Sequence, residues 1–236
     1  MNSRQTRILL VDDHAVVRTG YRALLEMNET LSVIAEAGTA DEAYTAYRRH
    51  EPDVVVMDIM LPGSSGIEAT RRIVAADEQA RILMFTMCSH PTVVQQALDA
   101  GALGVLTKDS PAEQLVDAVQ SVARGKRVLS RQVAESVAFS HYLPESKLFG
   151  YLTPREFEMC RLLVSGHSID AIAEQLNLSP KTVANKLSTA RRKLDVSSDI
   201  ELVKLASEVG LVPWVNERRL GLGEVTPSAR SVDQQT

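Results

Sequence analysis

Val54-Val55-Val56-Met57-Asp58-Ile59-Met60-Leu61-Pro62-Gly63 is the stretch that decides the fold. Its apolar residues run on without polar alternation. Such a run reads as a strand covered on both faces, the pattern of a parallel sheet. Pro62-Gly63 reads as the loop that leaves the strand. Asp58 therefore stands at the carboxyl end of a central strand, where open α/β sheets gather their ligands.

The alternation continues on both sides of this stretch. Ile8-Leu9-Leu10-Val11 predicts a first strand, and Ala15 to Met27 a helix with Val16, Val17, Tyr21, Leu24 and Leu25 at helical spacing. Leu31 to Ala35 predicts a second strand and Ala40 to Arg49 a second helix. A third helix follows from Gly66 to Ala75. Ile82 to Phe85 and Gly104 to Leu106 predict the fourth and fifth strands. Their helices run from Pro91 to Ala100 and from Ala112 to Arg124. Five βα repeats with right-handed crossovers imply an α/β, flavodoxin-like (βα)5 unit with a doubly wound parallel sheet.

The pattern breaks after Val128. Residues 129–149 predict a short helix, Val133 to Phe139, and a polar linker containing Pro144. An all-α four-helix unit is expected over 150–212. The predicted division is thus 1–128, 129–149, 150–212 and a polar tail at 213–236, whose composition predicts disorder. Among the 236 residues, 44% are hydrophobic and 24% charged, which is ordinary for a soluble globular chain. No apolar run is long enough to span a bilayer. The N-terminus leads straight into a strand, unlike a signal peptide, so a cytoplasmic location is expected. Cys88 and Cys160 lack metal-ligand spacing and read as free buried thiols. A net charge of -4 gives no whole-chain sign of nucleic acid.

Chemistry gathers at the strand ends. Asp12-Asp13 follow the first strand as Asp58 ends the third, and flavodoxin-like order makes those strands neighbours. Three carboxylates in one crevice repel one another unless a cation lies among them. Mg²⁺ suits carboxylates working beside phosphate oxygens. A carboxylate nucleophile can form an aspartyl phosphate. Thr86 and Lys108 end the fourth and fifth strands and offer a hydroxyl and an ammonium to phosphoryl oxygens. His14 is expected to cap the first helix or to face solvent beside the crevice.

The helical half carries its own signals. Thr153, Pro154 and Glu156 fit a capping box with proline at the first helical position. Ser168 caps the next helix, and Ser179-Pro180 repeat the start signal after a short turn at Asn177-Leu178. Two helices joined by such a turn predict a helix-turn-helix. The second carries Lys181, Lys186, Arg191, Arg192 and Lys193 and no acid between Pro180 and Leu194. A basic stripe on one helix is the footprint of phosphate contact. Val183, Leu187, Ala190 and Leu194 should face the core, leaving Ala184, Asn185, Ser188 and the cations opposite.

These residues carry a family resemblance. Leu9-Leu10-Val11-Asp12-Asp13-His14, Val56 to Gly63, Phe85-Thr86 and Leu106-Thr107-Lys108 resemble the receiver domain of two-component response regulators. Leu152-Thr153-Pro154-Arg155-Glu156, Ile172 to Leu176 and Leu178 to Val183 resemble the LuxR-type helix-turn-helix. Together the chain resembles the NarL/FixJ family, and within it the GacA/UvrY-type subgroup. The basic helix departs from that subgroup beyond Val183, so no shared regulon is implied. The resemblance implies that Asp58 accepts phosphate from a sensor histidine kinase or phosphotransfer protein. It implies that Asp12, Asp13, Asp58 and the Met60 carbonyl hold Mg²⁺, and that Thr86 and Lys108 contact the phosphoryl group. On the output side it implies double-stranded DNA as partner. Lys181, Thr182, Lys186 and Arg191 or Arg192 would hold phosphates, and Ala184, Asn185 and Ser188 would face bases. The last helix, Asp199 to Val209, resembles a dimerisation helix, implying a homodimer.

Two positions depart from the family. An aromatic switch usually stands three residues before the lysine, and here that place is Val105. Signalling then runs through Thr86 and loop movement alone, or phosphorylation couples weakly to output and DNA binding is independent of it. Met87 is bulkier than the small residue often found after the threonine. A different class, an aspartyl-phosphate phosphatase, needs a second aspartate two residues after the nucleophile, where Met60 stands. A flavodoxin-like cofactor carrier needs a phosphate loop where Asp12-Asp13-His14 stand.

Overall fold

The computed structural model describes residues 4–87, 90–140 and 149–208. Cys88, most of the expected polar linker and the 213–236 tail lie outside them. The described N-terminal half alternates β1 (Thr6–Val11), α1 (Ala15–Glu26), β2 (Leu31–Ala37), α2 (Ala40–His50), β3 (Val54–Met57), α3 (Gly66–Ala76), β4 (Ile82–Thr86), α4 (Pro91–Asp99), β5 (Gly104–Thr107) and α5 (Ala112–Ala123). The strands form one parallel sheet in the order β2-β1-β3-β4-β5-β6, where β6 is Val128–Leu129. Val54, Val55 and Val56 pair with Ile8, Leu9 and Leu10, so the first and third strands are neighbours as the carboxylate pattern requires.

All four β3 residues are buried. Ile8, Leu10, Val54 and Val56 pack on one face with Leu25 of α1 and Leu115, Val119 and Val122 of α5. Leu9, Val55, Met57 and Met84 pack on the other with Ala43 of α2, Ile67 of α3 and Val94 of α4. Covering a valine on such a sheet is worth about 1.5–3 kcal/mol. The doubly wound expectation is met, with α1 and α5 on one face and α2 to α4 on the other.

The sheet runs past the expected end of the βα pattern. β6 pairs parallel with β5, Gly104 opposite Val128 and Val105 opposite Leu129. The short helix α6 spans Arg131–Ser140, starting two residues before Val133, which it buries. The chain re-enters the described residues at Phe149 and builds α7 (Pro154–Val164), α8 (Ile169–Gln175), α9 (Pro180–Lys193) and α10 (Asp199–Glu208).

Capping explains these helix boundaries. Thr153 and Glu156 form the reciprocal capping box, Ser168 caps α8 through the Ala171 amide, and Ser179 caps α9 through the Thr182 amide. The α8–α9 turn is closed at Asn177, which takes a φ of +50°. Asparagine tolerates that left-handed conformation. Leu178 N–H reaches back to Ala173 O and Asn177 N–H to Glu174 O, satisfying two carbonyls at the end of α8. Val183, Leu187, Ala190 and Leu194 are buried as expected.

Candidate functional site

Asp58 follows β3, and its amide donates to Val11 O at 2.9 Å, locking it beside the end of β1. Gly66 makes the following loop fold back over it. A Cβ on Gly66 would lie 1.9 Å from the Asp58 carbonyl oxygen, so only glycine fits there. Asp12 and Asp58 are buried and share one cation. Lys108 Nζ donates to Asp12 Oδ2 at 2.5 Å and to Asp58 Oδ2 at 2.7 Å. The Met60 amide donates to Asp58 Oδ1 at 3.2 Å. Burial pushes the Asp58 carboxyl above its ordinary value, and Lys108 offsets only part of that. Burial pulls the Lys108 ammonium down, but Asp58 and Asp12 outweigh it and the net direction is up.

Asp13 completes the acidic set. Its Oδ1 is buried and accepts no hydrogen bond among the described residues, although His14 Nδ1 approaches to 2.8 Å. Asp12, Asp13 and His14 offer ligand atoms within 4.8 Å of one another. Hard oxygen donors with one carboxylate oxygen unsatisfied fit a hard cation such as Mg²⁺. His14 occupies the N-cap position of α1 without a capping hydrogen bond from its side chain, so it faces the carboxylates rather than the helix. Thr86 is buried at the end of β4, next to β5, and its carbonyl accepts the Lys108 amide at 2.9 Å.

Val105 is fully buried in the core. An aromatic ring does stand at the pocket, from a different element. Tyr21 of α1 lines it and packs edge-on against Phe85, centroids 4.7 Å apart. Burial raises the Tyr21 hydroxyl, with Lys108 opposing and Asp12 and Asp58 adding. Helical spacing marked Tyr21 only as a core position. Met87 is 72% exposed and lines the same pocket as Asp58.

The roof of this pocket comes from the helical half. Glu158 of α7 and Gln175 and Leu176 at the end of α8 line it together with Asp13, Asp58 and Lys108. Arg155, which lines the neighbouring cleft, also crosses to the receiver. Its Nε donates to Leu61 O at 2.8 Å and its Nη2 to Met60 O at 3.2 Å, and Nη2 lies 3.8 Å from Asp13 Oδ2. Sequence reasoning treated Arg155 only as part of a helix start, and capping satisfies every local signal there. Nothing local marks a contact to residues more than ninety positions upstream.

The basic helix α9 is partly neutralised within the chain. Arg191 pairs with Asp199. Lys193 Nζ donates to the buried Glu156 Oε2 at 2.6 Å, tying the end of α9 to the capping box of α7. Burial alone would raise Glu156, but Lys193 and the Thr153 amide and hydroxyl hold its carboxyl below the ordinary range. Among the described residues, Lys181, Lys186 and Arg192 enter no ion pair and are exposed, as are Asn185 and Ser188. Ala184 and Thr182 are half-buried.

Two family profiles match the chain: the response regulator receiver domain over residues 8–120, and the bacterial regulatory proteins of the luxR family over 151–206. The response regulator UvrY of Escherichia coli strain K12 is 36% identical over 206 residues, covering 86% of this chain and 94% of UvrY. The response regulator GacA of Pseudomonas aeruginosa is 34% identical over 208 residues, covering 87% and 97%. Among solved structures, RcsB from Salmonella enterica serovar Typhimurium, bound to promoter rprA with the phosphomimetic BeF3-, is 26% identical with a TM-score of 0.57. That match covers 86% of this chain and 99% of RcsB.

Proposed function

We propose a mechanism from one premise: this chain belongs to the two-component response regulators that join a receiver domain to a LuxR-type helix-turn-helix domain. The family is one of regulators, not enzymes. Our reading is that Asp58 is the phosphoacceptor, that a sensor histidine kinase or phosphotransfer protein supplies the phosphoryl group, and that α9 is the output. The observation that carries it is the convergence of Asp58, Asp12 and Asp13 on one crevice spanned by Lys108.

In this reading a carboxylate oxygen of Asp58 attacks phosphorus, the donor's P–N bond breaks, and an acyl phosphate forms on the side chain. Lys108, already bonded to Asp58 Oδ2, transfers its hydrogen bonds to the phosphoryl oxygens. Thr86 offers its hydroxyl to the same group. Asp12, Asp13, Asp58 and the Met60 carbonyl would hold Mg²⁺, which, when bound, supplies charge that lets carboxylates and phosphate share the crevice. Buried Val105 supports a subordinate reading in which phosphorylation is weakly coupled to output.

For the output, Lys181, Thr182, Lys186 and Arg192 would hold phosphates of double-stranded DNA, and Ala184, Asn185 and Ser188 would meet base edges. Asn185 can pair bidentately with adenine. Arg191 is the weaker of the two arginine candidates because Asp199 occupies it. Ile200 and Val203 expose apolar surface on α10, which supports pairing of two copies through that helix. We place the receiver at 1–128, the linker at 129–149, the DNA-binding domain at 150–212 and a tail at 213–236. Pairing of Leu129 with β5 carries the sheet one residue past the first boundary. None of the described helices is long and apolar enough to cross a membrane. A regulator that reads DNA works in the cytoplasm.

Radiolabelled acetyl phosphate with Mg²⁺ tests the site. The wild type should take up one stable label and Asp58→Asn none. Undiminished labelling of Asp58→Asn would remove Asp58 from the mechanism. Turnover of added phosphomonoesters would favour a phosphatase instead.

A further inference from the structure

Arg155 belongs to the helical domain, but its guanidinium reaches two groups of the receiver's acidic crevice, Met60 O and Asp13. It sits at the second position of α7, after Thr153 and Pro154. The side chain is only 12% exposed. Its contacts are the carbonyls of Leu61 and Met60 and the Asp13 carboxylate, at 2.8, 3.2 and 3.8 Å. Met60 O and Asp13 are two of the four groups assigned above to Mg²⁺. Metal ligands sit about 2.0–2.1 Å from Mg²⁺ in a near-octahedral shell that keeps several waters. A guanidinium hydrogen-bonded to the same carbonyl competes with the ion for that oxygen. It also brings a like charge to within a few ångströms of the ion.

We propose that Arg155 is a resident competitor of the metal: its guanidinium and Mg²⁺ exclude each other, so loading the receiver with metal expels Arg155 and loosens the helical domain. The proposal rests on the reading of the acidic crevice as a Mg²⁺ site. The consequence for the output follows from geometry. The cavity of about 510 Å³ beside Arg155 is bordered by Ser64, Ser65 and Arg71 of the receiver and by Thr182 and Lys186 of α9. Two of the residues assigned to DNA phosphates thus face the receiver while Arg155 is seated. Withdrawal of Arg155 frees the start of α7 and, through the Lys193–Glu156 pair, the helix that carries them. Linkage makes the effect reciprocal: the factor by which docking weakens Mg²⁺ equals the factor by which Mg²⁺ weakens docking.

The test is a calorimetric titration of the full chain with Mg²⁺ at constant ionic strength, paired with small-angle X-ray scattering before and after loading. Arg155→Met keeps the apolar stem and removes the charge. Arg155→Lys keeps the charge and loses the fork. Arg155→Met should bind Mg²⁺ more tightly than wild type by at least about fivefold, the lower end of ordinary coupling between sites. Arg155→Lys should fall between the two. The wild type should expand when Mg²⁺ is added, whereas Arg155→Met should be expanded already. Equal Mg²⁺ affinity in wild type and Arg155→Met overturns the competition while leaving the metal site standing. Absence of Mg²⁺ binding in all three proteins overturns the metal reading and the competition with it. Circular dichroism reports whether each variant is folded.

Discussion

His90 shows how far a single side chain can be tied to the arrangement of the two halves. It caps α4 by accepting from the Thr92 amide at 3.3 Å, and its ring lies 4.4 Å from the Phe157 ring of α7. Burial, with Arg161 adding, lowers its pKa to about 4. The folded value is below the unfolded one, so the neutral ring's contribution is complete above about 6.5 and is lost as pH falls from there through about 4. At 1.36 kcal/mol per pKa unit the loss is roughly 3 kcal/mol at most. Asparagine retains a capping oxygen and does not titrate. Urea unfolding should therefore lose less stability between pH 7 and pH 5 in His90→Asn than in wild type, and equal losses would show that other groups carry the acid sensitivity. Cys160 gives a second expectation. Its thiol is fully buried and pushed up to about 12, chiefly by burial. Iodoacetamide at pH 8 should leave Cys160 unmodified until denaturant is added, as read by peptide mass mapping. Modification of the native protein would mean that α7 opens readily. Neither residue is special in the sequence. The strand-end placement of Asp12, Asp13, Asp58, Thr86 and Lys108 was legible, because parallel order brings strand ends together. Tyr21 and Arg155 were not, because a helix face and a helix start satisfied their local patterns.

At the scale of elements, legibility followed the strength of the local signal. The capped helices α7, α8 and α9 begin where Thr153, Ser168 and Ser179 place them, since each side chain satisfies an amide the helix leaves unpaired. β6 was missed because two residues have no period. It exists through tertiary pairing, with the Val128 amide on Leu103 O and the Ser130 amide on Val105 O, both at 3.1 Å. The charge of α9 was legible as a count but not as a surface, because Arg191 and Lys193 are engaged by Asp199 and Glu156. Among the described residues, the α9 cations without an ion pair are fewer than the charge count suggests. Lys181 is one of them, exposed on the first turn of α9. Lys181→Ala should weaken binding to all DNA sequences alike and reduce the slope of log affinity against log salt by about 1, as expected for one phosphate contact. Titrating the variant against several duplexes at graded salt checks this, and a loss confined to one sequence would make Lys181 a base reader.

For the whole molecule, the question is how firmly the two halves are joined. One apolar cluster runs from Val55 and Ile67 of the receiver through Val133, Phe149 and Leu152 to Phe157 and Val183 of the helical half. Gln96 Nε2 donates across the junction to Gly150 O at 2.8 Å and Leu152 O at 3.1 Å. Against this stands the cavity of about 510 Å³ between α3 and the start of α9, where packing is incomplete. A junction with an apolar bridge beside a cleft should transmit unfolding while depending on few side chains. Phe157 is the central one, contacting Phe149 at a centroid distance of 5.9 Å as well as His90. Removing a buried phenyl group costs about 3–5 kcal/mol. That cost falls on the helical half and on the bridge together. Calorimetry of the wild type should show one transition, and Phe157→Ala should split it, with the helical half melting first and the receiver near its original temperature. A single transition in Phe157→Ala, merely shifted downward, would place the coupling in the Gln96 and Arg155 hydrogen bonds rather than in the apolar bridge.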